Sequence, residues 1–252
     1  MPATIVLLHG FTQTGASWAP TATALAESYT SLAPDLRGHG SAADRRPVDL
    51  DSVLADVASA APERFALAGY SMGGRLALHV ALAHPARVER LALIGASPGL
   101  ADAVERAERR RADEEWALLL EHEGIDVFAD RWGAQPLFAG QPPAAAAAAD
   151  AVRRRQSAAG LAAALRGLGT GVLPAVWDRL GELAMPVTLV VGEHDAKFRA
   201  LAERMAAALP DARVSVVAGA GHAAHLEAPE AVATALSKNG GCEGEDSGRA
   251  GG

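Results

Sequence analysis

Cysteine and aromatic residues are scarce in this chain, and basic residues are not in excess. Cys242 is the only cysteine among 252 residues, so an internal disulfide and a cysteine metal cluster are both excluded. The formal net charge of −7 disfavours a general nucleic-acid or anionic-membrane surface. Aromatic residues make up 4% of the chain, yet 50% of the residues are hydrophobic, which is enough for a sizeable core.

Long apolar runs are also lacking. No stretch is apolar enough to span a membrane, and the N-terminus has no basic segment followed by an apolar one. These features predict a cytoplasmic protein without nucleic-acid or membrane partners, present as a monomer or a small homo-oligomer. The length fits one α/β domain with an inserted segment.

Short apolar runs alternate with helical patterns through most of the chain. This alternation predicts a mostly parallel, doubly wound α/β sheet, in which ligands bind beyond the carboxyl ends of the strands. Helices are predicted at 17–27, 49–60, 72–83, 198–209 and 229–236. The apolar runs are predicted as strands at 4–8, 29–34, 64–68, 90–94, 187–191 and 214–217.

The pattern changes in residues 101–183, which show helical segments and no convincing strand. We expect an inserted all-helical cap there, with helices at 101–121, 125–132, 143–155 and 160–168. Residues 1–100 and 184–238 would then form the core. Residues 239–252, rich in glycine and charge, are predicted to be a disordered tail.

A serine lies at a predicted strand-to-helix turn. The pattern Gly69-x-Ser71-x-Gly73 is typical of a nucleophile elbow, which lifts a serine hydroxyl clear of the sheet at the positive end of a helix. Glycines are required because the chain approaches itself closely there. A turn with small residues for packing is the alternative, but the strand before Gly69 and the helix after Ser71 favour a nucleophile.

A serine hydroxyl needs a base, and the base needs a third group to orient it. After such an elbow, the acid and then the histidine follow along the chain. Asp195 ends a strand segment and is expected to be the acid, with Glu193 as the alternative. His222 follows the last strand and is expected to be the base. His225 is expected to support the site or cap a helix.

Two backbone N–H groups aimed at one point would stabilise negative charge on a reacting oxygen. Met72 follows the serine and is expected to supply one, and Phe11, in the loop after the first strand, the other. Gly10 permits the turn that aims Phe11. No cofactor is expected. No metal site is expected either, because the acidic and histidine side chains at 193–195 alternate in direction along a strand and would make a poor cage.

Arg75 lies one helical turn beyond Ser71, among apolar residues. A buried guanidinium is costly unless it is paired. Two interpretations remain open: Arg75 pairs with a carboxylate of the protein, or it binds a carboxylate of a substrate, for which its planar fork is suited. The arginine clusters at 106–111 and 153–155 are either solvated helix faces or an anion-binding roof over the serine.

Several motifs together resemble the α/β-hydrolase superfamily: the elbow, His9-Gly10-Phe11-Thr12, Asp35-Leu36-Arg37-Gly38-His39-Gly40-Ser41 and Gly221-His222. Other stretches resemble, over nearly the whole chain except the tail, the lyases of menaquinone biosynthesis called 2-succinyl-6-hydroxy-2,4-cyclohexadiene-1-carboxylate (SHCHC) synthases. These stretches are residues 70–75, 106–113, 128–132, 135–138 and 192–199.

This resemblance implies an α/β-hydrolase fold and a reaction that hydrolyses nothing. The triad serine would remove a ring proton from a small polycarboxylate with an enolpyruvyl side chain, and pyruvate would be eliminated. The implied catalytic residues are Ser71, His222 and Asp195, and the amides of Phe11 and Met72 would stabilise the developing charge. The implied substrate-binding residues are Tyr70, Arg75, Arg109, Trp132 and Arg153.

Two points stay open at the level of sequence. Arg153, Arg154 and Arg155 are adjacent and compete for one role. The activity has an alternative as well, a serine hydrolase acting on a carboxylic ester or a carbon–carbon bond of a carboxylated substrate, in which Ser71 becomes acylated. A non-catalytic receptor is disfavoured by the complete set of serine, acid and base.

Overall fold

The computed structural model describes residues 2–237. Cys242 and the tail predicted at 239–252 lie outside the described residues. Within that range six parallel strands form a sheet in the order β2-β1-β3-β4-β5-β6, which confirms the predicted parallel α/β fold. The strands are β1 (Ala3–Leu8), β2 (Tyr29–Leu32), β3 (Phe65–Tyr70), β4 (Val88–Ile94), β5 (Val187–Gly192) and β6 (Ala212–Val217).

The sheet is covered on both faces, which explains why its strands are continuously apolar. In β1, Val6 and Leu8 belong to one apolar layer, while Ile5 and Leu7 belong to the other. The register pairs Leu8 with Gly69 and Tyr70 with Ile94. The loops that follow these strands therefore leave the sheet side by side.

The core helices are α1 (Ala19–Ala24), α2 (Leu50–Ala60), α3 (Met72–Ala83), α7 (Ala196–Ala206), α8 (Ala224–Glu227) and α9 (Pro229–Ser237). The helix predicted at 17–27 is shorter than expected, because a 3₁₀ turn at Gly15–Trp18 precedes α1. Pro20 fits the first turn of α1, where its missing N–H has no partner to lose. β2 ends at Leu32 rather than at residue 34, since Pro34 cannot donate to a strand ladder.

Residues between β4 and β5, which we call the cap, are helical and contain no strand. Gly124, with φ 81° and ψ 179°, divides α4 where two helices were predicted. An apolar cluster that includes Phe128 and Leu161 fills the cap, and Phe11 of the core packs against it. The cap helices are α4 (Ala103–Gly133), α5 (Pro143–Arg154) and α6 (Ala158–Leu168).

The two ends of the cap are joined to each other. The N–H of Val176 donates to the carbonyl of Pro98 at 2.8 Å, and the indole of Trp177 donates to the carbonyl of Gly99 at 3.0 Å. None of the helices within residues 2–237 is long and apolar enough to cross a membrane.

Candidate functional site

Ser71 occupies the turn between β3 and α3 in a strained backbone conformation, with φ 50° and ψ −107°. Its N–H donates to the carbonyl of Ile94 at 2.9 Å. A Cβ atom added to Gly69 would lie 2.3 Å from the carbonyl oxygen of Gly73, and one added to Gly73 would lie 2.2 Å from that of Leu8. Only glycine fits these positions, so the elbow pattern is required by the packing of the turn.

The structure brings Ser71, His222 and Asp195 together from three separate loops. The Nδ1 atom of His222 lies 2.7 Å from Oδ2 of Asp195, and its Nε2 atom lies 3.4 Å from the Ser71 hydroxyl. His222 is 4% exposed and Asp195 is 8% exposed. With the Nδ1 proton donated to the carboxylate, Nε2 is free to accept the serine proton.

Glu193, the alternative acid, is exposed and turned away from His222. Its carboxylate accepts a hydrogen bond from the Gly219 N–H at 2.7 Å. Asp195 instead begins α7 and accepts from the Phe198 N–H at 3.3 Å through its other carboxylate oxygen. β5 ends at Gly192, so Glu193 is the first residue after the strand and Asp195 the third. This difference of two residues decides that Asp195, and not Glu193, reaches His222.

Glu227, which the sequence reasoning missed, holds the loop of His222. It accepts hydrogen bonds from the N–H groups of Gly221, at 2.6 Å, and Ala223, at 3.1 Å. The His222 ring also packs against Tyr70 and Phe198, with ring centroids 5.3 Å and 4.4 Å away. A carboxylate a few residues after a loop histidine, just before the helix predicted at 229–236, was the available signal.

The expected oxyanion donors line the same cavity as Ser71. Met72 is the first residue of α3, so its N–H has no intrahelical partner. Among the described residues, the Phe11 N–H has no hydrogen-bond acceptor either. Thr12 follows with φ 68°, an unfavourable conformation for a β-branched residue.

Two cavities meet at Ser71 and His222. The larger, of about 460 Å³, is lined by residues of the core and the cap and includes Arg75 and Arg109. The smaller, of about 50 Å³, includes Tyr70 and Arg153. Trp132 lines both, and its indole N–H is buried without an acceptor in the described part of the chain. Arg75 and Arg109 therefore face Ser71 from the larger cavity, and Arg153 faces it from the smaller one.

Arg75 makes no ion pair within residues 2–237, and its buried Nε atom has no hydrogen-bond partner there. Burial, and then the neighbouring Arg109, lower its pKa to about 10. Asp113 is the nearby acid, but it accepts from Nε of Arg109 at 2.8 Å. Burial raises the pKa of Asp113. Asp113 therefore attracts Arg75 electrostatically without forming an ion pair with it, which leaves the Arg75 guanidinium open to a carboxylate ligand.

The three adjacent arginines have different surroundings. Arg153 is 5% exposed and faces the smaller cavity. Its Nη1 atom lies 3.4 Å from Oδ1 of Asp150, and its Nε atom has no partner among the described residues. Arg154 lies across the helix face and pairs with Asp126, Asp130 and Asp150. Arg155 is exposed. Only Arg153 is placed to reach a ligand in the cavity.

His225 lies behind the site rather than in it. Its Nε2 atom is 3.0 Å from Oε1 of Gln13, and its ring packs against that of Tyr70 with the centroids 4.1 Å apart and the planes tilted by 38°. Burial lowers its pKa to about 3, so it is neutral at ordinary pH. Burial likewise raises the pKa of Tyr70. Within residues 2–237, no group of three His, Cys, Asp or Glu side chains is arranged to hold a metal ion.

Known proteins resemble this chain in sequence and in fold. A model of the alpha/beta hydrolase family matches residues 5–235. A putative SHCHC synthase of Bacillus subtilis (strain 168) is 34% identical, over 89% of this chain and 85% of that protein. An SHCHC synthase of Escherichia coli O1:K1 / APEC is 35% identical, over 93% and 92%.

A solved structure, MenH from S. aureus, superposes with a TM-score of 0.86 at 30% identity, covering 92% of this chain and 91% of that one. The chain therefore belongs to the alpha/beta hydrolase family of enzymes and is similar to SHCHC synthases over nearly its whole described length.

Proposed function

We propose that this protein is an SHCHC synthase of menaquinone biosynthesis, which eliminates pyruvate from the 5-enolpyruvyl precursor. The observation that carries the proposal is Arg75, a half-buried guanidinium in the cavity beside Ser71, whose Nε atom is sealed without a hydrogen-bond partner and which makes no ion pair among the described residues. A neutral substrate would leave this charge unpaired, whereas a carboxylate would pair with it. The names of the relatives, at 34% and 35% identity, support the same reaction.

Proton transfer begins at the serine. His222 accepts the Ser71 hydroxyl proton at Nε2, while Asp195 holds Nδ1–H and stabilises the resulting imidazolium. The Ser71 oxygen then removes a proton from the substrate ring. The electron pair of that C–H bond forms the new double bond of the ring system, the C–O bond to the side chain breaks, and the side chain leaves as the enolate of pyruvate. The proton held by His222 passes to this enolate, which gives pyruvate and returns His222 to its neutral form. The 3.4 Å contact must shorten on substrate binding.

Negative charge develops on the substrate during this proton abstraction. The N–H groups of Phe11 and Met72, both on the cavity wall, are the donors that stabilise it. Because the charge is larger in the transition state than in the bound substrate, these donors lower the barrier rather than merely tightening binding.

Three arginines match the several carboxylates of the proposed substrate. Arg75 and Arg109 bind in the larger cavity, and Arg153 binds from the smaller one. Tyr70 and Trp132 shape the wall between them. Carboxylates held on both sides of Ser71 fix the ring so that one C–H bond faces the serine oxygen, which is the geometric requirement of the elimination.

A serine hydrolase is the second candidate. The approach of Ser71, His222 and Asp195, with two amides at the cavity wall, equally fits attack of the serine on an ester or on a carbonyl flanked by a carbon–carbon bond. The two functions differ in what happens at Ser71: the hydrolase acylates it, and the lyase only transfers a proton to and from it.

Pyruvate release tests the proposal. The purified protein is mixed with freshly prepared enolpyruvyl precursor, and pyruvate is followed with a coupled dehydrogenase beside Ser71→Ala. We expect fast release that the variant lacks. Release no faster than the spontaneous rate, together with hydrolysis of short aryl esters that Ser71→Ala abolishes, would replace the lyase by the hydrolase.

A further inference from the structure

Gln156 connects the cap to two loops of the core. It lies between α5 and α6 and is 7% exposed. Its Oε1 atom accepts from the N–H of Gly40 at 3.0 Å. Its Nε2 atom donates to the carbonyls of Thr12 and Gln13, each at 3.3 Å. An amide N–H on one side and two carbonyls on the other fix the orientation of this side-chain amide.

The loop held by Nε2 is the one that carries Phe11. Within it, the Gln13 N–H closes a turn onto the Gly10 carbonyl at 3.1 Å. Thr12, next to Phe11, has a positive φ of 68°, a strained conformation for a residue with a Cβ. Such strain persists only where the surroundings hold it. Gln156 supplies two of the hydrogen bonds that hold this turn.

We propose that Gln156 is a positioning residue that fixes the Phe11 N–H relative to Ser71. The alternative is that Gln156 only holds the cap on the core, in which case its loss lowers stability but leaves the serine equally reactive. This inference rests on the oxyanion-hole part of the proposed function and not on pyruvate elimination, so the two can fail separately.

Labelling of Ser71 by a small neutral fluorophosphonate tests this inference. The serine oxygen attacks phosphorus, the P–F bond breaks, fluoride leaves and the serine proton passes to His222. The phosphoryl oxygen occupies the place of the oxyanion, so the second-order rate constant reports the Phe11 and Met72 donors. The probe carries no carboxylate and therefore makes no demand on the arginines.

Two variants separate the contacts of Gln156. Gln156→Met keeps the length of the side chain and removes all three hydrogen bonds. Gln156→Glu keeps an acceptor for Gly40 but replaces the donor to Thr12 and Gln13. Arg166→Met is the control, because the ion pairs of Arg166 with glutamates of α4 lie within the cap and away from the loop.

We expect both Gln156 variants to label about tenfold more slowly than wild type, a part of the 10²–10³-fold loss seen when a whole oxyanion donor is removed. The kcat of pyruvate release should fall in parallel with little change in KM, and Arg166→Met should label normally. Circular dichroism and melting curves confirm that each variant is folded at the assay temperature.

Wild-type labelling of folded Gln156→Met would overturn the inference. Normal labelling of Gln156→Glu would also overturn it, since only the bond to Gly40 would then matter, and this variant serves alone if Gln156→Met does not fold. Equal slowing by Arg166→Met would assign the effect to general loosening of the cap. If the wild type releases no pyruvate while the labelling pattern holds, the lyase proposal fails and the positioning role stands.

Discussion

Replacing Arg75 with methionine should stabilise the protein and disable it at the same time. Methionine keeps an unbranched side chain of similar length in the apolar surroundings of α3 but removes the charge. In the free protein that charge is half-buried, with Nε sealed from solvent and no ion pair among the described residues. Removing it should therefore relieve a cost in the folded state and delete a contact to the substrate.

The stability gain can be worked from the pKa. Burial and Arg109 lower the pKa of Arg75 from 12.5 to about 10, which corresponds to about 3 kcal/mol against the charged form in the folded state. Part of this is recovered in the variant, so the free energy of unfolding should rise by about 1–3 kcal/mol. Each kcal/mol raises Tm by about 2–4 °C in a chain of this size.

The expected loss of transition-state stabilisation is larger than the expected gain in the free energy of unfolding. Removing one partner of a buried, hydrogen-bonded charge pair costs about 2–5 kcal/mol. This predicts a fall in kcat/KM for the carboxylated precursor of about 30- to 5,000-fold. Hydrolysis of a small neutral aryl ester, which offers Arg75 no partner, should change far less.

The assay is pyruvate release, run beside ester hydrolysis and thermal melting for wild type, Arg75→Met and Arg111→Met. Arg111 is an exposed arginine of the cap and serves as the matched control, for which all three measurements should stay at the wild-type values. A lower Tm for Arg75→Met with unchanged kcat/KM would refute the reasoning, because the guanidinium would then be a structural group. Equal losses on precursor and ester would refute its anion-binding role.

Three further outcomes follow from the described geometry. Arg153→Met should lower kcat/KM for pyruvate release by about tenfold or more, whereas Arg155→Met should not change it; equal losses would contradict the assignment. Gly69→Ala should give no folded protein, since its Cβ would meet the Gly73 carbonyl. Gly124→Ala meets no atom within 4 Å and should cost only the backbone strain of φ 81° and ψ 179°, about 1–3 kcal/mol in urea unfolding. Burial lowers the pKa values of His9, His39 and His225 to about 3–4 in the folded state. Their contribution to stability is therefore fully present above pH 6.5 and is lost as the pH falls towards 4. A free energy of unfolding that stays unchanged from pH 7 to pH 5 would contradict this.

The elbow and the sheet could be predicted from sequence because their requirements are local. A strand buried on both faces must be apolar at every position, and the close approach around Ser71 admits only glycine at two fixed offsets. The likeness to known families had the same basis, since the motifs that carried it are short and contiguous. The position of Asp195 relative to Glu193 was also inferable, as it depends on where β5 ends.

Other parts of the site depend on contacts that no local pattern contains. Which of three consecutive arginines faces inward is set by the rotation of α5, and that rotation depends on packing against α4. Gln156 was missed because a polar residue between two helices is typical of a loop. Its partners are backbone atoms 116 to 144 positions away, so only the folded chain reveals them.

The junction between Pro98 and Val176 has a consequence for how such a protein can change. The chain leaves the sheet after β4 and returns before β5, its neighbour in the sheet, and a 2.8 Å hydrogen bond joins the two points. A change in the length of the cap between these two points would therefore not by itself shift the register of the strands. Ser71, Asp195 and His222 lie outside that segment, so exchange of the cap would change the arginines that face the cavity, but a new cap would need a residue that holds the Phe11 loop as Gln156 does.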